Sequence, residues 1–501
     1  MKNQLAWLLI LLTGILVFLP SFFTSIHGDE WKAIWLARQA LYDHGNYMPI
    51  QVGDTPYVFE HATLDLMSRV FPLHSGLFYV VNFVIRCTAA LYLYFFVKSL
   101  TKNTHSAYVS TFLFFISSIG VEAVIWTRNY SSYIGMIIFM HCYLFFVRKN
   151  LQPIKVIVSL ALVLILNTTR SHGVLLALSM TLIAEFLIHT FNKKHILTIF
   201  ALFIVYILAS QTPFFGLQAG NLFHDFEVVQ FLLNFTGNLG KVLVVVPNYM
   251  KASFLALVTL LFVWKKPSKQ ITVWSSLLLA NIAMLLYSYT VLTENYRSSL
   301  FALSVLGTLF LFAIYEYFYK QNDELRNTIL VVSLVVSWLI IPMIRQPLVV
   351  MGNDHRYLIY SAIVIPLISA FAINNSKLAI IPICFFAFVF SQQVNNLLTA
   401  HKVSHSTQYN NIVWSKITQQ ISPEIYKKTD TIILFSDENQ ASQINSSVYF
   451  GGMYHFGLLY NEFGPEENLK ELYFVRSKAE AEKYIEGNYI LLNFSTPTAK
   501  L

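Results

Sequence analysis

Residues 5–23 read LAWLLILLTGILVFLPSFF, with no charged side chain among them. Coiled as helix at about 1.5 Å per residue, such a run is long enough to cross a hydrocarbon core of about 30 Å. Runs of the same kind recur at 76–97, 107–126, 130–147, 154–169, 172–190, 195–215, 247–264, 271–292, 298–319, 328–344, 357–374 and 378–397. A membrane barrel would show alternating segments of about ten residues, whereas these runs are continuous and longer. The fold class this implies is an all-α polytopic membrane protein of about 13 transmembrane helices. Met1-Lys2 ahead of the first run resembles the start of a signal peptide. No small-residue cleavage pattern follows it, so it reads as a retained span.

Composition agrees. The chain is 56% hydrophobic and 12% charged, against about 25% charged residues in soluble domains. Cys87, Cys142 and Cys384 all lie inside apolar runs, which argues against a disulfide framework or a cysteine metal site.

Thirteen spans place the two ends of the chain on opposite sides of the membrane. With the N-terminus inside, fourteen Lys and Arg fall on cytoplasmic loops and ten on the outer side, and every inner loop is basic, as the positive-inside rule asks. The protein is therefore expected as a multi-pass protein of the cell inner (plasma) membrane, with a cytoplasmic N-terminus. Two of the fourteen inner charges are arginine, against seven of the ten outer ones. Lysine suffices against anionic lipid heads, but the guanidinium fork holds phosphate in a fixed bidentate geometry. Arg128, Arg170, Arg297, Arg345 and Arg356 stand at the outer ends of five spans, the level at which a phosphate-bearing headgroup would sit. The bland alternative is that each anchors the interface or pairs with Glu122, Glu294 or Asp354.

Between the first two spans, residues 24–75 form an outer loop too long for an idle connector. His27-Gly28-Asp29-Glu30 leads into good helix formers from Trp31 to His44, and Gly45-Asn46 reads as a helix stop. Trp31, Ile34, Trp35, Leu41 and Tyr42 suggest a helix lying along the membrane surface. Asp29 and Glu30 sit at its start, either as cap and dipole partner or as reactive carboxylates beside the lipid.

Gly28-Asp29-Glu30, Ala33, Leu36-Ala37-Arg38, His44-Gly45-Asn46-Tyr47, Pro49 and Gly53 to Tyr57 resemble the first periplasmic loop of the GT-C glycosyltransferase superfamily. The resemblance is to bacterial members akin to protein mannosyltransferases and aminoarabinose transferases. It continues in Arg86 with Leu91 to Tyr94, in Glu122 to Tyr130 (EAVIWTRNY), in Thr169-Arg170-Ser171-His172 and in Arg356-Tyr357-Leu358. Relatives commonly follow the loop tyrosine with Lys-Pro-Pro. Here the chain reads Phe59-Glu60-His61-Ala62-Thr63, so Arg69, His61 or the helix-end arginines would replace the phosphate-binding lysine.

The resemblance implies transfer of a sugar from a polyprenyl-phosphate donor to a glycan, lipid or protein acceptor on the extracytoplasmic face. The acceptor hydroxyl needs a general base, with Asp29 the first choice and Glu30 the second. The departing phosphate needs positive charge, which Arg128, Arg170, Arg297, Arg345, Arg356 and Arg69 would supply. His61, His172, Tyr130 and Tyr357 are candidates for substrate contact, although Trp126 and Tyr130 also fit an interfacial aromatic belt. Glu122, inside a span, calls for a partner such as Arg128 or Arg86. No metal-ligand spacing appears, and Asp29-Glu30 alone is too little to argue for a divalent ion. No cofactor is therefore expected, with a divalent metal not excluded, and the partners beyond donor and acceptor are membrane lipid and no nucleic acid.

Two further stretches stand out. Gln211 to Tyr249 is a long outer segment with several Gly and Pro, read as re-entrant, lid-like or a plain loop. The chain divides into a transmembrane GT-C-like domain at 1–398 and a C-terminal domain at 399–501. In the latter, strand-like Thr431 to Phe435 and Tyr489 to Phe494 flank a charged helical stretch, Lys478 to Ile485, which reads as a small α/β extracytoplasmic domain. A transporter or flippase of lipid-linked sugars would instead show two similar halves with broken helices, and no such symmetry is visible. A polysaccharide polymerase is the other enzymatic alternative.

Overall fold

The computed structural model describes residues 2–44, 51–52, 55–56, 58–147, 228–244, 296–319, 359–360, 362–375, 380–436, 451–463, 468–485 and 487–494, with isolated positions between 158 and 289. The protein is mostly helical and carries a small parallel three-stranded sheet. Among the described residues, Gln4–Phe23 and Leu77–Thr101 are long and apolar enough to cross a membrane, and Arg297–Leu311 is a shorter apolar helix. Two compact units form: Met1–Val17, Val84–Ala123 and Asn129–Asn395 make the first, and Phe18–Phe83, Val124–Arg128 and Asn396–Leu501 the second.

Several expected spans coincide with helices. Residues 5–23 lie on the helix Lys2–Phe18 and the short turn Leu19–Phe23, whose Pro20 sits where a missing N–H costs nothing. Spans 76–97, 130–147 and 298–319 match Leu77–Thr101, Tyr130–Val147 and Tyr296–Tyr319. Span 357–374 is α-helical only over Val364–Asn375, and span 378–397 coincides with Ile380–Ser404, which runs past its expected end. Spans 154–169, 172–190, 195–215, 247–264, 271–292 and 328–344 lie outside the described residues, apart from single positions.

The span expected at 107–126 is a correction. Its helix runs only from Thr104 to Phe115, and the chain then turns through Val121–Val124 and Thr127–Asn129 before the next helix. The break has a local cause in the first unit. Gly120 has φ +68°, and a Cβ there would meet the Ile359 backbone at 2.4 Å, so the turn suits glycine alone. Arg86 secures the helix end: its Nη2 donates to the carbonyls of Phe114 (2.9 Å) and Ser117 (3.0 Å), and Nη1 donates to Tyr133 Oη (2.8 Å). The guanidinium thus occupies carbonyls that a helix terminus leaves open.

The expected loop from Gln211 to Tyr249 contains a helix, Val228–Val244, packed against Tyr296–Tyr319. Glycines permit the close approach, since a Cβ at Gly240 would lie 2.0 Å from the Leu303 carbonyl and one at Gly307 1.8 Å from the Thr236 carbonyl. Small residues at such crossings let helix backbones meet.

In the second unit the part of the helix Glu30–His44 that carries Trp31, Ile34 and Trp35 packs against protein, while the Leu41 and Tyr42 side chains of the expected membrane-facing stripe lie outside the described ones. Trp31, Ile34 and Trp35 are buried in a core with Leu64, Met67, Phe78, Tyr454 and Leu458. The covering elements are the helices Val58–Val70 and Gly452–Tyr460. Gly457 allows the contact, because a Cβ there would press on the Trp35 indole at 2.9 Å.

The C-terminal part is α/β, as expected. Thr431–Phe435 is the central strand and pairs in parallel with Glu471–Val475 and Tyr489–Asn493. Its residues are almost wholly buried, as a central parallel strand covered on both faces must be. The flanking strand Glu471–Val475 and the helices Thr407–Gln420, Pro423–Lys428 and Gly452–Tyr460 were not anticipated. The expected helix from Lys478 to Ile485 is a short helix, Lys478–Ala481, followed by the turn Glu482–Tyr484.

Candidate functional site

Asp29 and Glu30 are neighbours in sequence and opposites in environment. Gly28 takes φ +60° ahead of them, turning the chain so that the helix begins at Glu30. Asp29 is exposed, and its carbonyl accepts the Ala33 amide at 3.1 Å. Glu30 is fully buried. One of its carboxyl oxygens receives the Thr127 amide. The other lies 2.9 Å from Tyr79 Oη and 3.4 Å from the His27 amide. Burial pushes the Glu30 carboxyl up to about 8, against the opposing effect of these hydrogen bonds and with a smaller upward push from Asp29. Glu30 therefore holds its proton near neutral pH, whereas Asp29 faces solvent.

The segment 124–128 is fixed beside Glu30 by the helix that begins at Leu77. Asn82 Nδ2 donates to the carbonyls of Val124 (3.1 Å) and Trp126 (2.9 Å). Trp126 in turn sets its ring edge-on to His27, 5.0 Å between centroids. Three pieces of sequence that are far apart, Gly28-Asp29-Glu30, the start of the second apolar helix and Val124 to Thr127, thereby contribute to one network.

His27 extends that network. Its Nδ1 is 3.1 Å from the Ser25 carbonyl, 3.2 Å from Tyr79 Oη and 4.0 Å from Glu30 Oε2. Two further histidines, His401 and His405, stand one turn apart where the helix Ile380–Ser404 ends. One ring nitrogen from each of the three lies within 4.8 Å of the others. The His27 and His405 rings stack at 4.2 Å with 14° between planes. Burial, with His401 beside it, pushes the His405 ring down to about 4, so this ring is neutral near pH 7.

The other expected residues fall as follows. Arg69 ends the helix Val58–Val70 and grips both carboxyl oxygens of Asp65, at 2.8 and 2.9 Å, while remaining half exposed. His61 is buried on the same helix, so its ring is not open to a ligand at the surface. Tyr130 is buried at the start of its helix. Arg297 is exposed in the first turn of Tyr296–Tyr319, and Arg128 lies on the turn Thr127–Asn129. Arg170, His172, Arg345, Arg356 and Tyr357 lie outside the described residues.

Sequence reading passed over Tyr79, Asn82, Thr127 and the histidine cluster. His401 and His405, four apart at a helix end, were the one visible sign, since i and i+4 share a face. The third member is 374 residues earlier, where no spacing rule reaches. No protein-family model matches the chain, and a comparison with curated proteins finds no match.

Proposed function

We propose that this protein is a polytopic membrane glycosyltransferase of GT-C type. In this reading it transfers a sugar from a polyprenyl-phosphate donor to an acceptor at the extracytoplasmic face, with Asp29 as general base. The observation that carries the reading is the division of labour between adjacent carboxylates. Glu30 is enclosed, and donors reach both its oxygens, so it anchors the loop. Asp29 is the carboxylate left open, held on a rigid helix start, as a proton acceptor for an incoming hydroxyl must be.

Placement in lipid rests on the apolar runs and on what the helices expose. Leu5, Leu8, Leu9, Leu12 and Leu16 of the first helix face outward, as do Val84, Leu91 and Phe95 of the second. In water that surface would be costly, at about 25 cal/mol per Å²; against lipid it is at home. About 13 spans, a cytoplasmic N-terminus and an extracytoplasmic C-terminal domain remain the arrangement we propose.

The chemistry follows from charge. As the acceptor oxygen attacks the anomeric carbon, Asp29 takes its proton. The carrier phosphate leaves with the glycosidic electron pair, and arginines at the outer helix ends, among them Arg128 and Arg297, offset its charge. Mass analysis of cell-envelope glycans and lipids with and without the protein tests the assignment. One envelope species should lose a single sugar residue and the lipid-linked donor should accumulate. An unchanged envelope profile would remove the assignment.

A further inference from the structure

We propose that His27, His401 and His405 form a three-histidine site for a zinc-class divalent cation, clipping the start of the first outer loop to the end of the helix Ile380–Ser404. This inference is independent of the glycosyltransferase reading, because it rests on the geometry of three side chains and their supports. It concerns residues that the catalytic proposal does not use.

The ligand set comes first. Three imidazoles and no thiolate or carboxylate in the first ring of ligands suit zinc and its neighbours, whereas calcium and magnesium take oxygen ligands. In a tetrahedral site with zinc–nitrogen bonds of about 2.0–2.1 Å, ligand nitrogens lie about 3.3 Å apart. The ring nitrogens here are already within 4.8 Å of one another, so closing on an ion requires shifts of about 1.5 Å or less. Side-chain rotation covers that distance by splaying the stacked His27 and His405 rings. Three protein ligands leave a fourth position for water or a substrate oxygen.

The second shell is also in place. A metal-bound histidine usually donates its other ring N–H to a carbonyl or carboxylate, which fixes the tautomer. The Ser25 carbonyl can only accept, so its 3.1 Å contact assigns the proton to His27 Nδ1 and gives the ligand lone pair to Nε2, which is buried. His405 Nδ1 is buried without a hydrogen-bond partner among the described residues, a cost that coordination would remove.

The backbone under the ligands is already joined. Thr24 and Ser406 form an antiparallel bridge, and the Ser25 amide donates to the His405 carbonyl at 2.8 Å. Asn410 Nδ2 reaches Ser25 Oγ, and Thr407 Oγ1 donates to the Phe23 carbonyl at 3.2 Å. Two segments 374 residues apart therefore present their histidines from a fixed frame. That preorganisation is what a metal site needs and what a chance cluster of side chains lacks.

The test uses the full-length protein in detergent, stripped with chelator and titrated with zinc against a chromophoric competitor, then with cobalt as a spectroscopic substitute. We expect one zinc per chain and a cobalt spectrum of nitrogen and oxygen ligation without thiolate charge transfer. His401→Gln and His405→Gln should each weaken zinc at least about 100-fold. His455→Gln, in a separate histidine pair, should leave it unchanged. X-ray absorption at the zinc edge of the unaltered protein should report three imidazole scatterers, a readout that does not depend on any variant folding. Absence of stoichiometric zinc binding, undiminished binding in the His401→Gln/His405→Gln double variant, or a zinc edge lacking imidazole scatterers would each overturn the site.

Discussion

The Glu30 carboxyl keeps its proton because burial outweighs the donors at its oxygens. A neutral carboxyl can accept from the Thr127 amide on one oxygen and donate to Tyr79 Oη from the other, while the phenol donates to the Ser25 carbonyl 2.9 Å away. A glutamine reproduces that pattern with its carbonyl and amide. Glu30→Gln should therefore change thermal stability by less than about 1 kcal/mol, while Glu30→Ala, which strands the Thr127 amide, should cost about 2–3 kcal/mol. Unfolding curves in detergent compare the two. The buried pair His74 and His455 gives a pH prediction at the same scale. Their Nε2 atoms are 2.9 Å apart, and His455 stacks on Trp414 at 3.5 Å. Burial pushes His74 down to about 4 and His455 well below its ordinary value of 6.5. The unfolded chain thus binds these protons more readily than the folded one. The stability they confer is present above pH 6.5 and is lost as the pH falls from 6.5 towards 4. Between pH 7 and pH 5 the folded protein should lose on the order of 2 kcal/mol through His74, and His74→Gln should flatten that slope.

At the scale of elements, apolar runs announced where helices lie better than where they stop. Tyr130–Val147 and Leu77–Thr101 were legible because an uninterrupted apolar stretch has only one way to satisfy its backbone away from water. The break after Phe115 was not, because Ser117 to Gly120 are as compatible with an apolar helix as with a turn, and the deciding contacts come from Arg86 and Ile359. The strand Glu471–Val475 was missed because burial grades along it from exposed Glu471 to buried Val475 instead of alternating, which leaves little period-2 signal. In the helix Glu30–His44 the apolar pattern was legible, but protein rather than lipid covers Trp31, Ile34 and Trp35. Pattern reports that a face is covered, not whether lipid or protein covers it. The glycines between Val228–Val244 and Tyr296–Tyr319 permit a direct check. Gly307→Val places carbon where the Thr236 carbonyl stands and should destabilise the pair by about 2–3 kcal/mol or more, read as lowered protease resistance. Wild-type resistance in that variant would contradict the packing.

At the scale of the whole molecule, the sequence conveys class before it conveys site. Composition and apolar runs carry the membrane reading, and the outward-facing leucines of the first helix are consistent with it. The proposed topology predicts that a reporter fused after Leu501 is exposed outside the cytoplasm, while one placed before the first span is inside; the reverse pattern would reject the orientation. The site was legible only in part. Gly28-Asp29-Glu30 stands out as a motif, but its environment depends on Tyr79, Asn82 and Thr127, which join it through folding. The central claim, that Asp29 is the base, is tested most directly by sugar-transfer rates of purified Asp29→Asn and Glu30→Gln with a lipid-linked donor, donor binding being followed separately. Asn caps a helix about as well as Asp, so a purely structural Asp29 would leave the rate unchanged. The proposed role predicts a loss on the order of 10²- to 10⁴-fold with donor binding retained, and near-normal turnover for Glu30→Gln. Full activity in Asp29→Asn alongside an inactive Glu30→Gln would contradict it.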